Sequence, residues 1–283
     1  MRPIQSITKE LVFSFLAPRA PESHKGNYGK VLAVCGCEEY RGAAALACLG
    51  ALRAGAGLVT LAAPECVCTC VAPRILEATF LCAQSREELL SAAAQYTVCL
   101  AGCGRKPDNE TANEMCALLA AAKGCFVLDA GGLSAIGTNH NALRPCAGRL
   151  VVTPHPGEMA RLAGIPVAQV LQMPADVALG FSQKTGAITV LKGHRTLVAT
   201  PDGTLYRNTT GNAGLARGGS GDILAGIIAG LAAQGLSPQA AALCGVWLHG
   251  AAADKCAAQR SMQGMLPEDI LEALCTVFLE NGR

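Results

Sequence analysis

A chain of 283 residues that is 51% hydrophobic and 16% charged can bury a large core, enough for one α/β domain or two small ones. Its formal charge of +2, with no Lys/Arg cluster and no aromatic ladder, leaves no footprint for nucleic acid, so small molecules are the expected partners. The longest apolar segment, residues 223–233, is far too short to span a bilayer, and no membrane association is expected.

Fifteen cysteines lie mostly in apolar runs such as Val98-Cys99-Leu100 and Leu243-Cys244-Gly245, and no charged-then-apolar leader opens the chain. A cytoplasmic setting is therefore expected, with most thiols acting as small core hydrophobes. Cys66, Cys68 and Cys70 are the one place to consider a metal. Zinc pairs use two-residue spacers, which these lack, so no metal held by side chains is expected.

Residues up to Ser23 show little pattern beyond an apolar patch at 11–16 and should fold over the body of the protein. His24-Lys25-Gly26-Asn27-Tyr28-Gly29-Lys30 reads as a turn launching a strand at 31–36. Its glycine spacing is too short for a phosphate loop, which would in any case follow its strand. A small-residue helix at 43–54 and a strand at 57–62 complete a βαβ unit, whose wholly apolar strands imply a sheet buried on both faces.

The alternation continues with a strand at 97–101 ending in Gly102-Cys103-Gly104-Arg105, a helix at 109–122, and a strand at 125–129 ending in Asp129-Ala130-Gly131-Gly132. Ligands gather at such carboxyl ends, and glycine recurring at successive ends points to a cleft. Residues 150–152 lead into Thr153-Pro154-His155-Pro156-Gly157-Glu158, where prolines hold His155 rigidly and Glu158 enters the first turn of the next helix. A strand at 187–191 ends in Lys192-Gly193-His194-Arg195-Thr196, and Pro201-Asp202-Gly203 marks a hairpin between 197–200 and 204–207.

Residues 211–235, GNAGLARGGSGDILAGIIAGLAAQG, dominate the chain. Gly218, Gly219 and Gly221 free the backbone for positive φ, and the apolar residues from Ile223 to Gln234 predict a helix buried on all sides. The junction at Gly221-Asp222 offers bare amides and the positive end of a dipole, an expected anion hole. Asp222 is either the helix cap or a carboxylate that takes a proton from an attacking hydroxyl; the glycine run favours the second. It is no Walker A loop, since Asp222 and Ile223 follow Gly221. Helices at 238–258 and 267–279 cover it, with His249 beside Trp247 expected as a packed core histidine.

Together these elements predict a single three-layer α/β/α sandwich with a mostly parallel central sheet. The motifs resemble the ribokinase-like superfamily and, within it, the NAD(P)H-hydrate dehydratases. That resemblance rests on His24-Lys25-Gly26, Gly42-Ala43-Ala44, Thr153-Pro154-His155-Pro156-Gly157-Glu158 and Gly218-Gly219-Ser220-Gly221-Asp222, and covers about residues 20–275. Cys37, Leu215 and Arg217 depart from the family pattern.

The resemblance implies a stand-alone domain over 1–283, with no N-terminal epimerase domain, that dehydrates the S form of NADH or NADPH hydrate at the expense of ADP or ATP. Asp222 would be the catalytic base. Ala43, Gly104, His155 and Asp222 would contact the substrate; Lys192, Gly193, His194, Arg195, Thr196, Asn212, Gly219, Ser220 and Gly221 would hold the nucleotide. Mg²⁺ would come with the nucleotide, and a homo-oligomer, up to a tetramer, is implied. A ribokinase-like kinase of a hydroxymethylpyrimidine or thiazole precursor and a non-catalytic nucleotide sensor stay open as other readings.

Overall fold

The computed structural model describes residues 4–82 and 85–283. Its strands are β1 (Ile4–Ser6), β2 (Lys30–Val34), β3 (Leu58–Ala62), β4 (Thr79–Leu81), β5 (Val98–Ala101), β6 (Cys125–Leu128), β7 (Leu150–Val152), β8 (Ile188–Leu191), β9 (Leu197–Ala199) and β10 (Leu205–Arg207). They form one sheet in the order β1-β10-β9-β8-β7-β6-β5-β2-β3-β4. From β4 across to β8 every pairing is parallel, β9 is antiparallel to both neighbours, and β1 joins β10 in parallel at the edge. The expected hairpin is thus present. The first strand was not foreseen, because three residues carry no readable period.

The helices are α1 (Lys9–Phe15), α2 (Arg41–Arg53), α3 (Glu65–Val71), α4 (Arg86–Gln95), α5 (Asn109–Ala121), α6 (Ala130–Ile136), α7 (Pro156–Ala163), α8 (Val167–Gln172), α9 (Pro174–Thr185), α10 (Ser220–Ala233), α11 (Pro238–Arg260) and α12 (Pro267–Leu279). Alternate strand residues feed two cores. Val31, Ala33, Val98, Leu100, Val127 and Val151 pack with α1, α2, α3, α10, α11 and α12. Leu32, Val34, Cys99, Ala101, Phe126 and Leu128 pack with α4 to α9 on the other face. This is the expected three-layer sandwich. Cys66, Cys68 and Cys70 lie on α3, with Cys68 buried and the other two exposed.

The helix expected from 223 begins at Ser220, and only Gly221 and Asp222 within it escape full burial. It packs most heavily on α2. The contact is made backbone to backbone: a side chain on Gly226 would strike the Ala47 carbonyl, one on Gly230 the Ala51 carbonyl, and one on Gly50 would lie 2.6 Å from the carbonyl of Ile223. Glycine here serves close approach, with every φ in the ordinary helical range.

Gly226→Ala should therefore lower stability by about 1–3 kcal/mol through overpacking. Gly180→Ala, in the middle of α9 with nothing within 4 Å of the added methyl, should raise it by roughly 0.5–1 kcal/mol from helix propensity. Urea denaturation of the two variants beside the parent protein checks both signs.

Candidate active site

Where β6, β7 and β8 end and α10 begins, a cavity of about 740 Å³ opens, a volume suited to a small-molecule ligand. Asp129 stands directly after β6, His155 shortly after β7 and Lys192 directly after β8, so parallel pairing brings their side chains to one rim. Opposite them the first turn of α10 enters the cavity with Ser220, Gly221 and Asp222. The first amides of a helix have no intrahelical partners, and the dipole adds positive potential there. Ser220 N–H is tied back to the Arg217 carbonyl at 3.3 Å, so the amides of Gly221 and Asp222 carry that potential.

Asp222 is not the helix cap. Gly219 occupies that position, in the left-handed region at φ 98°, and no side chain bonds the exposed amides. Asp222 sits three residues into the helix, and its carboxyl is pushed up to about 7 by burial first, then by the negative charge of Asp129. Lys192 and the Cys103 thiol pull the other way without offsetting this. Asp129, only 1% exposed, is satisfied by the Thr153 hydroxyl at 2.7 Å and the Lys192 ammonium at 2.7 Å. Lys192 lies 3.8 Å from Glu158 as well. Burial works against its charge, but Asp129 and Glu158 more than compensate and hold the ammonium above its ordinary range. One cation thus serves three neighbouring carboxylates, and Asp222 is the one left holding its proton near neutrality.

His155 caps α7. Its Nδ1 accepts from the amides of Gly157 at 3.0 Å and Glu158 at 3.4 Å, while Glu158 Oε2 accepts from His155 N–H at 2.8 Å. With Nδ1 used as acceptor, the proton of a neutral ring sits on Nε2, which is 3.4 Å from Glu158 Oε1. The ring is half exposed at the cavity rim, so it is at once a structural cap and a presented donor.

The loop after β8 is closed by Thr196, whose hydroxyl donates to the Gly193 carbonyl at 3.1 Å and accepts from Gly193 N–H at 3.3 Å. Arg195 takes φ 63° within it. Asn212 is held at both ends of its amide: the nitrogen donates to Asp254 at 3.0 Å and the oxygen accepts from Gly214 N–H at 2.9 Å.

All of Lys192, Gly193, His194, Arg195, Thr196, Asn212, Gly219, Ser220, Gly221, Asp222 and His155 line this one cavity. Ala43 and Gly104 do not. They meet each other instead, a side chain on Gly104 falling 2.8 Å from the Ala43 methyl, beside the bond from Gly36 N–H to the Cys103 carbonyl. That is the junction of β2 and β5, from which the strand order runs outward in both directions, a place where open sheets leave a crevice.

The glycine reading needs correction. Of Gly218, Gly219 and Gly221 only Gly219 has positive φ. Gly218 faces open space, where a side chain would meet nothing within 4 Å, whereas one on Gly221 would lie 3.2 Å from the Lys192 ammonium, so only Gly221 is small for room. The strained backbone after β6 falls on Ala130, at φ 49°, and not on the glycines that follow it. Unforeseen in the cavity wall are Asp129, Asn208, Thr210 and His249. The acid ending β6 was the available signal for the first; the others are assembled only by tertiary packing.

A family model described as NAD(P)H-hydrate dehydratase matches residues 31–276. The bifunctional NAD(P)H-hydrate repair enzyme of Moorella thermoacetica is 42% identical over 92% of this chain, which spans about half the length of that relative. The ADP-dependent (S)-NAD(P)H-hydrate dehydratase of Bacillus subtilis is 35% identical over 96% of both chains. The crystal structure of the Bacillus subtilis ADP/ATP-dependent NAD(P)H-hydrate dehydratase, co-crystallised with ATP and Mg²⁺, superimposes with a TM-score of 0.85 at 32% identity, over 98% of both chains. The matched span takes in every element that builds the cavity, and the chain belongs to the NAD(P)H-hydrate dehydratase family.

Proposed function

We propose that this chain is a single catalytic domain that uses ADP or ATP to dehydrate the S form of NADH hydrate and NADPH hydrate. The observation that carries the reading is Asp222, a carboxyl with raised proton affinity set beside the bare amides at the start of α10. A base tuned near the working pH next to an anion cradle suits deprotonation of an alcohol that attacks phosphorus. The family relationship supports the substrate, and it alone supports extending the proposal to a cytoplasmic homo-oligomer. Among the described residues no helix is long and apolar enough to cross a membrane.

The hydrated ring carries a hydroxyl next to the ring nitrogen, and hydroxide is a poor leaving group. Asp222 takes the hydroxyl proton as its oxygen attacks the terminal phosphorus, whose bond to the nucleotide breaks, leaving a phosphate ester. The ring nitrogen's lone pair then expels phosphate, and loss of a proton from the adjacent ring carbon restores the dihydronicotinamide. The free amides of Gly221 and Asp222 hold the migrating phosphoryl group, and Lys192 stands 3.2 Å from the site of a Gly221 side chain, within reach of the same charge. His155 offers its Nε2 proton at the rim, and Ala43 and Gly104 border the crevice toward which the rest of the dinucleotide would extend.

The carboxylates of Asp129 and Asp222 lie within one small cluster with Cys103 and are hard oxygen donors that suit Mg²⁺, whereas a thiol does not. Mg²⁺ carried in by the nucleotide would neutralise phosphate charge at that point.

With NADH hydrate, Mg²⁺ and ADP, AMP and inorganic phosphate should appear one for one with the reduced-nicotinamide absorbance. NADH regenerated without nucleotide consumption contradicts the phosphoryl step, and a stable phosphate ester points to the vitamin-precursor kinase.

Asp222→Asn should lower turnover by about a hundredfold or more. It should also stabilise the unliganded protein at pH 8. The folded carboxyl titrates near 7 against 3.8 in its ordinary state, so the native state loses stability as pH rises from about 4 through 7, by on the order of a few kcal/mol. The asparagine variant escapes that loss. The gap between the two denaturation midpoints should shrink as pH is lowered from 8 to 5, and equal midpoints at pH 8 would show Asp222 to be solvated.

Lys192→Ala should weaken nucleotide binding and also destabilise the free protein by about 3 kcal/mol, because buried Asp129 loses its cation. Calorimetric titration with ADP and thermal melts separate the two effects.

A further inference from the structure

Much of the cavity wall comes from the loop between β10 and α10, and that loop is stitched to one face of α11. Asn208 Nδ2 donates to the Val246 carbonyl at 3.3 Å, and the Thr210 hydroxyl donates to the Trp247 carbonyl at 3.0 Å. Gly250, without a side chain, lets the helix rest on Thr210. One turn further on, Asp254 Oδ2 accepts from Gly211 N–H at 2.8 Å and Oδ1 accepts from Asn212 Nδ2 at 3.0 Å. Residues 247, 250 and 254 recur at helical spacing, so a single stripe of α11 holds the loop. The earlier contacts use the backbone of α11; the last uses a side chain.

That side chain determines which way the Asn212 amide points. A carboxylate only accepts and the Gly214 N–H only donates, so the Asn212 nitrogen must turn to Asp254 and its oxygen to Gly214, at 2.9 Å. A reversed amide would set oxygen against oxygen and N–H against N–H. In the orientation held, one N–H and one lone pair of the amide remain for a ligand in the cavity that Asn212 lines. The Asn212 oxygen also caps the turn at residues 213–215, which carries Ala213 and Leu215 into the same wall. Asp254 itself is exposed and stands outside the cavity lining. It reaches a bound molecule only through the residues it holds.

We propose that Asp254 is a positioning residue for the nucleotide, fixing the Asn212 amide in the orientation that hydrogen-bonds it. The assignment rests on the proposed use of a nucleotide in this cavity.

The test is a double-mutant cycle on Asp254→Ala and Asn212→Ala, titrated calorimetrically with ADP and Mg²⁺ beside melts of the unliganded proteins. Each single variant should bind ADP about tenfold more weakly, the scale of one hydrogen bond. The double variant should be no weaker than about tenfold, because the second change removes an interaction already lost. Asp254→Asn keeps one acceptor oxygen and should fall between parent and alanine variant; it carries the test should Asp254→Ala not fold. In steady state the loss should appear in KM for the nucleotide more than in kcat. Unchanged ADP affinity in both Asp254 variants overturns the proposal, whatever their melting temperatures, and reduces Asp254 to a fastening of the loop. Losses that multiply to about a hundredfold in the double variant overturn the route through Asn212. A parent protein that binds ADP but regenerates no NADH refutes the dehydratase reading while leaving Asp254 assignable; a parent that binds no ADP refutes both.

Discussion

Helix α10 is buried along all but two of its residues, and the rest of the structure answers to that burial. A helix enclosed in a core must present its unpaired first amides somewhere, and the interior offers no water to receive them. Here they open onto a cavity whose far rim is assembled from the ends of three parallel strands. The binding site is thus the place where the central helix meets solvent, and the fold has no cheaper location for those amides.

Charge balance within the cavity follows from the same geometry. Asp129, Glu158 and Asp222 converge because β6, α7 and α10 end or begin at one level, yet one ammonium serves all three. Lys192 goes to Asp129, which is the more deeply buried and already holds a hydroxyl donor. Asp222 is left with desolvation and a like charge. Its proton affinity is therefore a property of the ensemble, and no change at residue 222 is needed to retune it.

Much of this was legible in the residues. The apolar strands, the turn at Pro201-Asp202-Gly203 and the glycine run before Asp222 each carry a local physical signature, and all fall where expected. What was hidden depends on tertiary placement. Nothing in Ala130 announces a left-handed backbone, and nothing in the sequence shows that the loops around Gly102 and Gly132 approach each other beside it. His249 sits in a helix whose neighbours are apolar on every side, so no periodicity marks the wall it faces. Asp222 lines the cavity, but it is not the cap, because the helix starts three residues earlier than the apolar run does.

The glycine contact between α2 and α10 has a metrical consequence. Ala43 rides on the first turn of α2 and Asp222 on the first turn of α10, so the span between the crevice and the carboxyl is set by how near the two helices lie. Because carbonyls and Cα atoms make that contact, the spacing is set by backbone atoms in van der Waals contact, which rotamer changes cannot alter. The site carries a built-in gauge, and its calibration is held where the helices touch, one to two turns further along α10 than the chemistry.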